Sequence, residues 1–266
     1  VIEFFDKAGV RGFLHARHLG SAAEVSLDAD EPVVLASVVK VPLVLEFARQ
    51  VAAGQLDPAD RVRARAADRL GGTGMAGCAD DVEMSLRDAA LAALSVSDNT
   101  AADLLFDRVG VGNVRSLMTE LGLTSTRIIG APKDVLRTII EDDGRDVRAL
   151  DPLRTTASTP REMTRLLELI WRDEAGPPEA CRQVRDLLGF QINWYRVAAA
   201  FDDEVAYAGK TGTLPQIRNE IGVATYPDGE QYAIAVFTTG RYTGRRPDID
   251  QAIGAAARSA VDQLRA

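Results

Sequence analysis

The sequence predicts an α/β (α+β) protein in which an antiparallel sheet flanked by helices is built from both ends of the chain, with an all-helical lobe between them. Three observations carry this. Short runs near the start and in the last third have the alternating, β-rich character of strands. The middle repeats its apolar residues at three and four, the period of helices. The strand segments bracket the helical ones, so the economical arrangement joins residues 1–36 and 200–266 in one sheet and leaves 37–199 as the helical lobe. At 266 residues the chain is long enough for a sizeable core. A cleft between two lobes is a natural site.

Along the chain, the first thirty-five residues read as strands. Phe13, His15 and Arg17 alternate with Leu14, Ala16 and His18, and Glu24 to Leu27 forms a second run. Pro32 to Ala36 leads into Ser37. From Val38 the period lengthens: Val41, Val44, Leu45 and Ala48 predict a helix, with Pro42 tolerated in its first turn. Gly71-Gly72-Thr73-Gly74 is a loop. Ser85 and Asp88 have the form of a capping box for a helix over 86–94. A helix over Asn99 to Val109, capped by Thr100, and another over 112–120 follow. Residues 124–160 read as a long loop with a short helix at Val135 to Ile140, and such loops are usually functional or mobile. Thr159-Pro160 opens a helix to Trp171, and Glu179 to Leu188 gives another. Strands return at Glu204 to Tyr207, Glu220 to Tyr226 and Gln231 to Thr238, the last two joined by the turn Pro227-Asp228-Gly229. Ile249 to Leu264 is a terminal helix.

Composition excludes several functions. Acidic residues outnumber basic ones, 39 to 31, and no basic stripe is present, which argues against a nucleic-acid partner. Arg241, Arg245 and Arg246 read as a solvated turn. No run of eighteen apolar residues occurs, so no transmembrane segment is expected. The chain opens at Val1 without a signal-peptide pattern. Cys78 and Cys181 share no motif spacing and read as separate free thiols. His15 and His18 are the only histidines. They are too few for a zinc site and are expected to be exposed on an edge strand. No metal or cofactor is implied.

Three short motifs carry chemistry. Ser37-Val38-Val39-Lys40 sets a hydroxyl and an amine three residues apart at a helix start, so they share a face. A serine needs a base to become a nucleophile, and an amine with its pKa lowered by burial can serve. Leu35, Ala36, Val38, Val39 and Val41 surround this lysine with apolar groups. Free N–H groups at the helix start favour developing negative charge. A lysine snorkelling from a core helix is the plain alternative. Ser97-Asp98-Asn99 offers a hydroxyl, a carboxylate and an amide at a helix junction, where a simple cap is the alternative. Lys210-Thr211-Gly212-Thr213 sits in or beside a strand, able to hold a substrate carboxylate. It is not a phosphate loop, because Glu204 stands where that motif needs glycine. With no Gly-x-Ser-x-Gly elbow and no suitable histidine, Ser-Lys chemistry fits better than a Ser-His-Asp triad.

In order and type, Ser-x-x-Lys, Ser-Asp-Asn and Lys-Thr-Gly resemble the set found in class A β-lactamases and penicillin-binding proteins. The likeness extends over nearly the whole chain, including Ser97 to Ala102 and the strand from Tyr232 to Gly240. It implies a β-lactamase/transpeptidase-like fold and an acyl-enzyme formed on Ser37, with Lys40 as base and Ser97 as proton shuttle. It further implies that Asn99 contacts the substrate's side-chain amide. Lys210, Thr211 and Thr213 would hold its carboxylate, and the backbone N–H groups of Ser37 and Thr213 would form the oxyanion hole. The substrate would be a small molecule or peptide with a carboxylate, met by a monomer outside the cytoplasm.

The chain also departs from that pattern. It lacks the family's Glu-x-x-Leu-Asn motif for the deacylating water. The family's interval lands near Lys133, and Asp134, Glu141, Asp142 and Asp143 are the carboxylates available as substitutes. Where the family often has arginine, ten residues beyond Lys210, this chain has Glu220; Arg218 is the nearby candidate for the substrate carboxylate. Leu214-Pro215 replaces small residues. A β-lactamase is the first expectation. A penicillin-binding, D-alanyl-D-alanine-peptidase-like or other acyl hydrolase with slow deacylation is the second, and a non-hydrolytic binding protein on the same fold the third.

Overall fold

Alternation of apolar side chains gives β1 (Arg11–His18), and β2 (Glu24–Leu27) pairs with it antiparallel. Ahead of them, where strands were expected, the chain starts with a helix, α1 (Ile2–Ala8). Phe5 and Ala8, three apart, are its buried positions, and Gly9 closes it at φ 65°. The structure, a computed structural model, describes residues 1–142, 147–242 and 244–266.

The extended pair β3 (Val33–Val34) leads to a 3-10 turn, Ala36–Val39, and then α2 (Lys40–Ala52). A hairpin of β4 (Arg61–Ala64) and β5 (Val82–Ser85) brackets the glycine-rich loop. Next come α3 (Leu86–Ser95), α4 (Asn99–Val109), α5 (Val111–Glu120) and α6 (Pro132–Glu141). The pair β6 (Ala157–Ser158) joins β3, followed by α7 (Pro160–Trp171) and α8 (Pro178–Gly189). The strands β7 (Ala206–Leu214), β8 (Ile217–Thr225) and β9 (Gln231–Thr239) precede α9 (Pro247–Arg265). Helix starts follow their caps. Ser85 accepts from the Asp88 N–H, and Thr159 accepts from that of Glu162. At α4 the cap is Asp98 rather than Thr100: its carboxylate reaches the Ala101 N–H at 2.9 Å.

The five-stranded sheet has the order β2-β1-β9-β8-β7, every pair antiparallel. The two ends of the chain meet where Arg11 pairs with Thr239 and His18 with Tyr232. On one face Leu14, Ala16, Ile234 and Val236 pack with Ile253, Ala257 and Val261 of α9. On the other, Phe13, Ala233, Ala235 and Phe237 join a larger core that runs through α7 to the central helix α2. Because β1 lies between β2 and β9, it is not an edge, and His15 is fully buried rather than exposed. Its ring meets the Thr164 hydroxyl at 2.5 Å, with Glu24 and Arg161 beside it. Burial, and then the Arg161 charge, hold the His15 pKa down. His18 keeps partial exposure against Ser21 and Glu230. Cys78 is exposed and Cys181 buried, both as free thiols. No helix among the described residues is long and apolar enough to cross a membrane.

Candidate active site

Ser37 stands on the 3-10 turn before α2. In that turn residues three apart eclipse one another, which brings the Lys40 amine to 3.3 Å from the Ser37 hydroxyl. Ala36 takes the left-handed conformation (φ 49°), and so does Ser97 (φ 59°). Such backbone costs of the order of 1–3 kcal/mol for a residue with a Cβ. With Gln216 (φ 65°), which lines the same cavity, three of the five non-glycine cases among the described residues fall at this site. The turn is held from behind: the Asn219 side-chain amide donates to the Val34 carbonyl at 2.7 Å, and the Leu35 N–H to the Thr156 carbonyl at 3.1 Å. β7 presses directly on it. A Cβ at Gly212 would sit 2.7 Å from the Leu35 carbonyl oxygen, so only glycine permits this approach.

Lys40 has no solvent exposure and four polar partners. Its Nζ donates to the Ser97 carbonyl at 2.7 Å and to Asn99 Oδ1 at 2.8 Å. The hydroxyls of Ser37 and Ser97 both lie at 3.3 Å. The first two are acceptors only, so they occupy both N–H bonds of a neutral amine and leave its lone pair facing the hydroxyls. Burial lowers the Lys40 pKa to about 7, against the opposing charges of Asp98 and Asp103. Lys210 is equally buried, and its pKa is pushed well down, by burial first and then by the nearby Lys40 charge. Its Nζ donates to the Ser97 hydroxyl at 2.9 Å and to the Thr211 carbonyl at 2.8 Å. Ser97 thus bridges two amines. Asp98, 1% exposed, accepts the Met75 N–H at 2.7 Å as well as that of Ala101, tying the glycine-rich loop to the start of α4.

The structure brings Ser37, Lys40, Ser97, Asn99, Lys210 and Thr211 together. Ser37, Asn99, Thr213 and Arg218 line one cavity of about 680 Å³, with the two lysines beneath them. Asn99 also braces the site. Its Oδ1 accepts from Lys40, and its amide nitrogen reaches the Gly71 carbonyl at 3.4 Å. Arg218 lies against the Tyr242 ring and donates to the Gly244 carbonyl at 3.2 Å.

Sequence reasoning missed the supports of β7. Arg196 is 1% exposed and donates to the Gly212 and Asn219 carbonyls at 3.0 and 2.7 Å, to the Thr213 hydroxyl at 2.8 Å and to Asp250 at 2.7 Å. Gln191 takes the Thr211 N–H at 2.6 Å, and Asn193 donates to the Thr211 hydroxyl at 3.1 Å. Glu220 does not face the cavity. It is buried beneath this segment, accepting from Gln191 and from the Val197 N–H, and burial raises its pKa to about 7.

Three of the four substitute carboxylates, those among the described residues, are engaged in other contacts. Asp134 caps α6 through the Ala131 N–H, while Glu141 and Asp142 pair with Arg148. Asp143 lies outside the described residues. α6 instead turns Val135, Leu136 and Ile139 toward the cavity.

Comparison with known proteins agrees with this fold. The chain is 27% identical to the β-lactamase regulatory protein BlaB of Streptomyces cacaoi, across 97% of this chain and 94% of that protein. It superposes on a β-lactamase from Sphaerobacter thermophilus with a TM-score of 0.84 at 26% identity, covering 98% and 94% of the two chains. A point mutant of PBP-A, solved as an acyl-enzyme complex with penicillin G, gives 0.82 at 19% identity over 99% and 96%, a likeness of fold. The model of the β-lactamase enzyme family matches residues 2–264. With the family's match running almost end to end, the chain belongs to the β-lactamase enzyme family.

Proposed function

We propose that Ser37 attacks the carbonyl of a β-lactam, or of a comparable amide or ester bearing a carboxylate, and leaves the resulting acyl-enzyme slowly. The observation that carries this is Lys40. Its N–H bonds are directed at two obligate acceptors, and its remaining valence faces the Ser37 and Ser97 hydroxyls.

Neutral Lys40 takes the Ser37 proton as Oγ bonds to the carbonyl carbon. The Ser37 and Thr213 N–H groups stabilise the oxyanion. When the C–N bond breaks, Ser97 gives its proton to the leaving nitrogen and is refilled from Lys40. Lys210, Thr211, Thr213 and Arg218 hold the carboxylate, and Asn99 contacts the side-chain amide. Arg196 positions the Thr213 hydroxyl from behind. The second half of a hydrolytic cycle needs a base for water, worth roughly 10²–10⁴-fold. The described carboxylates of the α6 region are paired away from the cavity, and apolar side chains stand in their place. The name of the Streptomyces relative, a regulatory protein, favours a role in which acylation itself is the event. A rapid β-lactamase is the competing reading, favoured by the Sphaerobacter likeness. Such substrates favour a location outside the cytoplasm, the usual one for the family.

Incubation with benzylpenicillin followed by intact-mass and peptide mapping tests this. A single adduct on the peptide containing Ser37, absent in Ser37→Ala, is expected. No adduct and no lactam opening by the folded protein overturns the proposal.

A further inference from the structure

The cavity has two unlike ends. At one, Thr213 of β7 and Arg218 of β8, paired across the sheet, line the cavity. At the other, Leu70, Val135, Leu136 and Ile139 make the wall, with Pro132 at its margin. This wall is chiefly the face of α6, and α6 is unusual. It is strongly amphipathic, yet none of its residues is buried. A soluble helix normally spends its apolar stripe on the core. Here the helix is fixed by polar contacts instead: the Lys133 N–H donates to Asp103 at 2.9 Å and the Lys133 amine to Asp107 at 2.6 Å. The stripe is left for the cavity. Leu70, 41% exposed across the opening, adds to it from the glycine-rich loop.

We propose that this wall binds an extended apolar acyl substituent, so that the substrate class is a carboxylate-bearing acyl donor with an aliphatic chain. The inference rests on the acyl-transfer reading above. One feature selects this occupant: the wall is continuous with Ser37 and Thr213 inside a single cavity. A substrate whose carboxylate sits at the Thr213 end and whose carbonyl lies at Ser37 projects its other substituent onto α6. A cavity of about 680 Å³ holds a drug-sized molecule of this shape. During acylation the Ser37 Oγ–carbonyl bond forms, the lactam C–N bond breaks, and the Ser37 proton ends on that nitrogen. Nothing is lost from the adduct, and the chain stays beside α6.

The test is a series of penicillins that differ only in an aliphatic acyl side chain, acetyl, butanoyl, hexanoyl and octanoyl, with second-order acylation of Ser37 followed by intact mass. Each methylene placed against the wall is expected to raise the rate about fourfold, until the wall is covered. Leu136→Asn combined with Ile139→Asn is expected to flatten that dependence, and Leu136→Met to keep it. Thermal melts check folding of each variant, which is expected because α6 buries no residue. Equal rates along the series, with Ser37 still labelled, overturn the apolar subsite and spare the acylation reading. An unchanged slope in the folded double variant also overturns the subsite. No labelling by any member overturns both.

Discussion

Lys40 sets the protonation logic of the site. Its charged form has a pKa of about 7 in the fold because burial outweighs the attraction of Asp98 and Asp103. In the proposed reaction the base form accepts the Ser37 proton, so acylation is expected to rise with pH through about 7 and to level off above it. A pH profile of acylation by benzylpenicillin checks this; a rate that climbs only near pH 10, the range of an unperturbed lysine, contradicts it. Ser37, Lys40, Ser97 and Lys210 were legible because each belongs to a short local motif. The residues around them were not. In the segment from Phe190 to Trp194 the usual pattern is inverted: Phe190, Ile192 and Trp194 are more than half exposed, while Gln191 is buried to hold β7. A reader of hydropathy assigns those roles the other way round. Arg196 gave no signal either, since its partners, Gly212 and Asn219, lie sixteen and twenty-three residues away on strands whose register only the fold supplies.

At the scale of elements, β7 and α6 divide the work. β7 carries the polar end and is clamped from behind by Arg196, Gln191 and Asn193, with glycine at 212 letting it meet the serine turn. α6 carries the apolar end. A helix near this position was read from Val135 to Ile140, and it extends from Pro132 to Glu141, with Pro132 at its start as its fixed φ favours. What the pattern could not show is which way its apolar stripe points; amphipathicity predicts a buried face, and this one borders a cavity. If slow release comes from want of a base beside the acyl group, a carboxylate on that face is expected to speed it. Leu136→Glu should accelerate loss of the penicilloyl adduct by roughly ten- to a thousandfold, of the order usual for general-base assistance. Adduct lifetime by mass measures it, and an unchanged lifetime in a folded variant assigns slow release to another cause. The elements missed in sequence are the short ones. Seven residues of α1 are too few to establish a period, and the four-residue strands β4 and β5 gain their pairing only from each other.

For the molecule as a whole, the two ends of the chain form the sheet, and the middle brings the candidate side chains Ser37, Lys40 and Ser97 to the sheet's edge. Joining the ends was read from the order of strand and helix patterns, and β1 pairs with β9 from Arg11 to His18. His15 was misread because an alternating run does not say whether both its edges are paired; with β2 and β9 on either side, it is central. In the proposed reaction acylation and release are separable, since β7 and α2 would supply the first and α6 would border the second. Ser37, in that proposed reaction, is acylated readily and freed slowly. Lactam opening followed in time at a stoichiometric excess of benzylpenicillin tests it most directly. A burst of one lactam opened per protein is expected, keeping pace with the appearance of the Ser37 adduct by mass, then a much slower steady phase. Continuous rapid opening with no adduct accumulating, or no burst at all, would contradict it.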